Sequence, residues 1–339
     1  MAHMEGTSMT RVVLLEDYLD YAKQLPCVQA LARRVDLQIY TAKAASEAET
    51  VTRTRDADIV ITIRDRVQYT PSLLARLGHL QLLSVCGARL SHIDLDAATR
   101  HGVLICAPSA AEQGGHTKAA TAEQTWNLIL GLMKETVMND GALRQGQWQT
   151  RPSRGLVGKT LGLVGLGVIG QQVAQIGNAM RMRVLAWSPH LTPERASAHG
   201  AECVAFEQLL RDSDIISLHA PMLPDNRDMI GEHELHLMPP QAYLINTARA
   251  ALVNEQALRQ ALESGTIAGA GLDVYWEEPL PADHWLRRQP NVLMQPHLGG
   301  FTDEGYANLL TPAVDNVMAF LDGAPKNLVN PEVLAARSA

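Results

Sequence analysis

Short apolar runs alternate with stretches of helical spacing along most of this chain, and that alternation fixes the first expectations. In the first third, strands are predicted at 11–15 (RVVLL), 37–40, 57–63 (ADIVITI), 80–85 (LQLLSV) and 101–105, with helices over 18–34 and 73–77. A periodic stretch from Thr117 to about Leu143 predicts one long helix. Beyond it, strands are predicted at 161–165, 184–187, 214–219, 242–246, 269–274 and 292–294. Helices at 168–180, 194–198, 206–210 and 254–264 separate them, and a last helical stretch at 302–321 has no strand after it. Strands alternating with helices imply parallel sheets joined by right-handed crossovers. The expected class is therefore α/β, with two doubly wound parallel-sheet domains. The last helix is expected to return to the first domain, which would comprise 1–111 and 302–339, with 112–301 inserted as the second.

Bulk properties narrow the function classes. A chain of 339 residues, 46% of them apolar, is long enough for two cores, and 19% charged residues argue against wholesale disorder. A net charge of −7 leaves no general electrostatic footprint for nucleic acid or an acidic membrane, so neither is expected as a partner. The four cysteines, Cys27, Cys86, Cys106 and Cys203, form no C-x-x-C pair. That speaks against a thiol redox motif or a cysteine zinc site and suits a reducing cytosol. His233-Glu234-Leu235-His236 lacks the i, i+4 histidine spacing of a helical zinc site and reads as a polar helix face, so no metal is expected. With no apolar leader and no spanning apolar run, the expected location is the cytoplasm.

The most telling segment is Leu161-Gly162-Leu163-Val164-Gly165-Leu166-Gly167-Val168-Ile169-Gly170, a strand running through G-x-G-x-x-G into a helix. Gly165 permits a tight turn, Gly167 lets backbone approach a pyrophosphate, and Gly170 lets the helix sit close on the strand. Helix N–H groups without partners then face the phosphates. The position after the second strand of such a unit usually carries an acid that holds the adenosine ribose. Here it is Ser188, followed by Pro189 and His190, with Arg195 a turn or two away. NAD is the expected cofactor, and NADP stays open.

Three polar residues stand at the ends of later strands: Arg249 after LINTA, Glu278 in DVYWEEP, and His297 in QPHLGG. Singly, each reads as an ordinary loop residue. Together, behind a dinucleotide loop, they supply what reduction of a 2-keto acid requires. Hydride arriving at the ketone carbon leaves charge on oxygen, so an acid must deliver a proton. A histidine does so near neutral pH when a carboxylate stabilises its charged form. An arginine offers a donor fork to the substrate carboxylate and polarises the adjacent carbonyl.

LGLVGLGVIG (161–170), SDIISLHAP (213–221), LINTARA (244–250), GAGLDVYWEEP (269–279) and QPHLGG (295–300) occur in an order and spacing that resemble the D-isomer-specific 2-hydroxyacid dehydrogenases. That group includes D-3-phosphoglycerate dehydrogenase and the glyoxylate/hydroxypyruvate reductases. The resemblance implies a Rossmann cofactor domain inserted into a flavodoxin-like substrate domain. It implies that Arg249 binds the substrate carboxylate and keto oxygen, that His297 is the acid in reduction and the base in oxidation, and that Glu278 pairs with it. Val168 and Ile169 would lie at the pyrophosphate and Ser188 at the adenosine ribose. Pro221 would be near the cofactor, with Thr247, Ala248, Asp273 and Gly299 around its nicotinamide end. It also implies a homodimer joined through the cofactor domain, and a small 2-keto or 2-hydroxy acid as substrate.

Departures from the family pattern mark where the resemblance says least. Ala250 replaces the usual glycine after the arginine. In the expected substrate loop, Gly87 and Ala88 offer backbone N–H groups to the substrate carboxylate, but Arg89 stands where many relatives carry glycine. Arg89 could add a cation to the pocket or stabilise the loop from solvent. Arg64, with Arg66 beside it, occupies the place of a phosphate-binding arginine in phosphoglycerate-type relatives. Cys86 reads as a packed thiol. Two other functions fit the same fold: a cofactor-sensing corepressor-type binding protein, and oxidation of phosphite. Glutamate rather than glutamine at 278 argues against formate.

Overall fold

The computed structural model describes residues 9–109 and 116–337, and they form two compact α/β units. The first unit comprises Met1–Gly114 and Asp303–Ala339, and the second Gly115–Thr302.

In the first unit, β1 (Arg11–Leu15), β2 (Asp36–Ile39), β3 (Ile59–Ile63), β4 (Leu82–Cys86) and β5 (Leu104–Cys106) form a parallel sheet in the order β2-β1-β3-β4-β5. That is the flavodoxin-like order. Every residue of β3 and β4 is buried, as expected of strands covered on both faces. Connections run through α1 (Pro26–Ala32), α2 (Glu47–Thr54), α3 (Pro71–Leu74) and α4 (Leu95–Arg100). The expected helix over 18–34 is shorter, because Pro26 occupies its first turn and Leu25 before it is extended. The segment 104–107 also takes the C-terminal stretch as a neighbour. Val329 N–H donates to the Ile105 carbonyl at 2.9 Å, and Ile105 N–H donates to Asn330 Oδ1 at 2.7 Å.

The single helix expected over 117–143 is instead two, α5 (His116–Met133) and α6 (Thr136–Arg144). Glu135 between them adopts left-handed geometry (φ 53°). Arg154 N–H caps the Met133 carbonyl at 2.9 Å, and Arg151 pairs with Glu135 at 2.5 Å. The break is set by residues 16 to 21 positions away, which local periodicity does not register.

The second sheet contains β6 (Thr160–Val164), β7 (Arg183–Trp187), β8 (Glu202–Cys203), β9 (Ile215–Leu218), β10 (Tyr243–Asn246), β11 (Gly269–Leu272) and β12 (Val292–Met294). All seven are parallel, in the order β12-β11-β10-β9-β6-β7-β8. Its connecting helices are α7 (Val168–Ala179), α8 (Pro193–Ser197), α9 (Phe206–Asp212), α10 (Glu232–Leu237) and α11 (Glu255–Ser264). Strand order reverses between β6 and β9, the point at which open α/β sheets place their ligands. The chain then returns to the first unit as α12 (Asp303–Leu321) and α13 (Glu332–Arg337).

Candidate functional site

The glycine loop lies at that reversal. Gly165 leaves β6 at φ +104°, its N–H held by the Trp187 carbonyl at 2.8 Å. A Cβ there would meet the His219 backbone at 2.9 Å, so the loops after β6 and β9 are in direct contact. Gly170, in the first turn of α7, packs so closely that a Cβ would stand 2.2 Å from the Gly165 carbonyl oxygen. At Gly167, the N-cap of α7, an added Cβ would meet nothing within 4 Å. Tight backbone at two glycines and open space at the third, before a helix N-terminus, make a cradle that fits a pyrophosphate. Val168 is exposed and Ile169 half-buried beside it. At the other end, Ser188 directly follows β7, and Arg195 donates to the His190 carbonyl at 3.1 Å. Pro221 is exposed after β9.

The loops after β10, β11 and β12 continue along the same sheet edge, because those strands are consecutive neighbours. Asn246 shapes the first: its side chain accepts from Ala248 N–H at 3.0 Å and donates to the Arg249 carbonyl at 2.9 Å. His297 Nδ1 meets Glu278 Oε2 at 2.6 Å, and the other Glu278 oxygen accepts from Tyr275 N–H at 3.0 Å. Burial alone would raise the Glu278 carboxyl, but its bond to and charge from His297, the Tyr275 N–H and the nearby Arg249 guanidinium outweigh that and hold it below the usual range. The structure thus places Glu278 against His297 with Arg249 in electrostatic reach. Glu278 takes the Nδ1 side of the ring, which leaves Nε2 as the nitrogen not bonded to it.

His297 adopts φ +56°, a left-handed conformation that costs a non-glycine residue about 1–2 kcal/mol and persists only where neighbours enforce it. Asp273, 1% exposed, braces the two residues that follow His297. Its two oxygens accept from Leu298 N–H and Gly299 N–H, each at 2.8 Å. A Cβ at Gly299 would lie 2.9 Å from Asp273 Oδ2, so glycine permits that approach. Burial raises the Asp273 carboxyl, against the opposing influence of these donors and of His297.

Sequence reasoning passed over two features here. One is His219, whose Nε2 lies 2.9 Å from Ser217 Oγ and whose imidazole burial pushes down to about 4. The other is the polar face of α5. Thr121 Oγ1 donates to the Gly299 carbonyl at 2.8 Å, Gln124 Nε2 donates to Asp273 Oδ1 at 3.0 Å, and Thr125 Oγ1 lies 2.9 Å from Thr247 Oγ1. A signal is present in the sequence: Thr121, Gln124 and Thr125 stand at i, i+3 and i+4, on one helix face.

In the first unit, Gly87 leaves β4 at φ +144°, followed by exposed Ala88 and Arg89. Arg64, half-buried at φ +54°, donates its N–H to the Cys86 carbonyl at 3.1 Å. Arg66 differs: its guanidinium bonds the Glu16 carbonyl and lies 4.1 Å from the Tyr18 ring centre, so it serves its own unit's fold. Cys86 is fully buried, and burial pushes its thiol far up. Among the described residues, no cluster could hold a metal, and no helix is long and apolar enough to cross a membrane.

Residues 126–299 match the model of the D-isomer specific 2-hydroxyacid dehydrogenase NAD binding domain. A glyoxylate reductase from Aeropyrum pernix is 37% identical over 91% of this chain and 94% of that enzyme. The structure of a phosphoglycerate oxidoreductase from Vibrio cholerae superposes with a TM-score of 0.85 at 31% identity, over 93% of this chain and 100% of that one. A D-lactate dehydrogenase from Aquifex aeolicus, solved with NAD and lactic acid, gives 0.72 at 28% identity over 93% and 96%.

Proposed function

The chain belongs to the D-isomer specific 2-hydroxyacid dehydrogenases, NAD-dependent oxidoreductases, and on that premise we propose that it reduces a small 2-keto acid of glyoxylate or hydroxypyruvate size. The observation that carries this reading is the His297–Glu278 pair at 2.6 Å, on the sheet edge that also presents Arg249 and the glycine loop.

Gly165, Gly167, Val168, Ile169 and Gly170 would hold the pyrophosphate. Ser188 would face the adenosine ribose, with Pro221, Thr247, Ala248, Asp273 and Gly299 toward the nicotinamide. When bound, the reduced cofactor supplies the hydride. Arg249 grips the substrate carboxylate and polarises the keto oxygen, lowering the cost of charge developing there. His297 Nε2 delivers a proton to that oxygen, and Glu278 stabilises the imidazolium beforehand. In oxidation the same nitrogen takes the proton back. Gly87 and Ala88 offer backbone amides to the substrate carboxylate, with Arg64 and Arg89 as candidate further cations. The domain division that goes with this reading is 1–111 with 302–339 for substrate and 112–301 for cofactor. Because no acid follows β7, NADPH is expected to be tolerated as a second choice. Four free cysteines support a cytoplasmic location. Helix α6 has no buried residue, and Val137, Leu143 and Trp148 are exposed, which supports a homodimer through the cofactor domain.

The test is a panel of glyoxylate, hydroxypyruvate, phenylpyruvate and 3-phosphohydroxypyruvate, each with NADH and NADPH, followed by loss of nicotinamide absorbance. NADH-dependent turnover of one of the first two is expected. Cofactor binding without turnover of any would overturn the proposal in favour of a binding protein.

A further inference from the structure

Asp273 carries three hydrogen bonds, and two of them hold the residues immediately after His297. The third comes from Gln124, on a different element. Asn127 Nδ2 donates to Gln124 Oε1 at 3.2 Å, which turns the Gln124 amide so that its NH2 faces the carboxylate. Flanking it, Thr121 ties the Gly299 carbonyl and Thr125 ties Thr247. One stripe of α5 is therefore bonded to the loops after β10, β11 and β12.

The geometry points to Gln124 as a positioning residue for the acid/base His297, acting through Asp273. This rests on the reading of His297 above. A buried carboxylate needs donors, since an unpartnered one costs several kcal/mol or takes up a proton. Without the Gln124 amide, Asp273 becomes easier to protonate. A protonated carboxyl is a poorer acceptor for the Leu298 and Gly299 N–H groups, and the segment carrying the left-handed His297 loses that brace. The ionisable groups facing Asp273 are His297 and Tyr275, with Glu278 acting on Tyr275 and paired to His297. None of them is an alternative donor from the α5 side.

The experiment compares Gln124→Leu and Gln124→Glu with wild type in NADH-dependent reduction of hydroxypyruvate, alongside NADH dissociation constants. Q124L removes the donor at similar volume. Its kcat should fall about tenfold or more while the NADH dissociation constant stays within about threefold, a split that general damage does not produce. Q124E keeps the shape but sets two carboxyls 3.0 Å apart, which cannot both ionise cheaply. A protonated glutamic acid can donate to Asp273, whereas a glutamate cannot. The ratio of Q124E to wild-type kcat should thus climb several-fold as pH falls from about 8 to about 5.5, while the Q124L ratio stays flat. Should Q124L fail to fold, the Q124E ratio decides alone. His297→Gln in parallel separates the two levels. If H297Q is inactive but Q124L turns over at the wild-type rate, or the Q124E ratio is independent of pH, the role of Gln124 is wrong. If H297Q is fully active, the reading beneath it has failed instead.

Discussion

Replacing Gly170 with alanine puts the packing of the cofactor loop to a quantitative test. The added methyl would sit 2.2 Å from the Gly165 carbonyl oxygen and 3.2 Å from its carbon. Relief requires α7 to retreat by about 1 Å, since the Gly165 side is pinned by its N–H bond to Trp187 and by contact with His219. Overpacking of this kind costs about 1–3 kcal/mol. The retreat also carries the first amides of α7 away from the pyrophosphate, and a charge-assisted hydrogen bond is worth about 1.5–3 kcal/mol. NADH should therefore bind about ten- to a hundredfold more weakly, and the thermal transition should fall by a few degrees. Gly167→Ala is the companion. With φ −77° and open space around the new Cβ, it should unfold like wild type yet bind NADH poorly, because the methyl occupies the place proposed for the phosphate. Titrating NADH by calorimetry and melting both variants separates these effects. If G170A binds NADH as tightly as wild type, or if G167A loses as much stability as G170A, the account of the loop is refuted.

Glu278→Gln keeps a hydrogen-bonding group against His297 but removes its charge. An opposite charge at this range typically moves a neighbour's ionisation by about 1–3 units, or about 1.4–4 kcal/mol, so kcat for keto-acid reduction should drop about ten- to a thousandfold. An unchanged kcat for E278Q would count against the pairing. His219 gives a stability prediction. Its folded pKa of about 4 lies below the unfolded value, so its stabilising contribution is complete above about pH 6.5 and is lost as pH falls toward about 4. Urea denaturation should show wild type losing up to about 3 kcal/mol more than His219→Gln across that interval. Parallel curves for the two proteins would rule this out.

What could be read from the sequence follows physical locality. The strands are legible because parallel strands buried on both faces appear as short continuous apolar runs, as in Ile59–Ile63 and Leu82–Cys86. Arg249, Glu278 and His297 are legible because each polar residue follows such a run, and open α/β sheets gather their sites at those ends. The division of the long helix is not legible, because Arg151 and Arg154 impose it from a later segment. Nor is the use of Asp273. A lone acid after a strand gives no sign that its oxygens reach residues 298 and 299, a contact that exists only once β11 and β12 are neighbours. The same holds for Arg66: its sequence neighbourhood matches that of Arg64, but the fold puts its guanidinium on the Glu16 carbonyl and the Tyr18 ring.

The most direct test of the central claim is single-turnover reduction of hydroxypyruvate by His297→Gln preloaded with NADH. The account predicts wild-type NADH affinity with hydride transfer slowed by about two orders of magnitude or more, the share expected of general acid catalysis. Hydride transfer at the wild-type rate would contradict it.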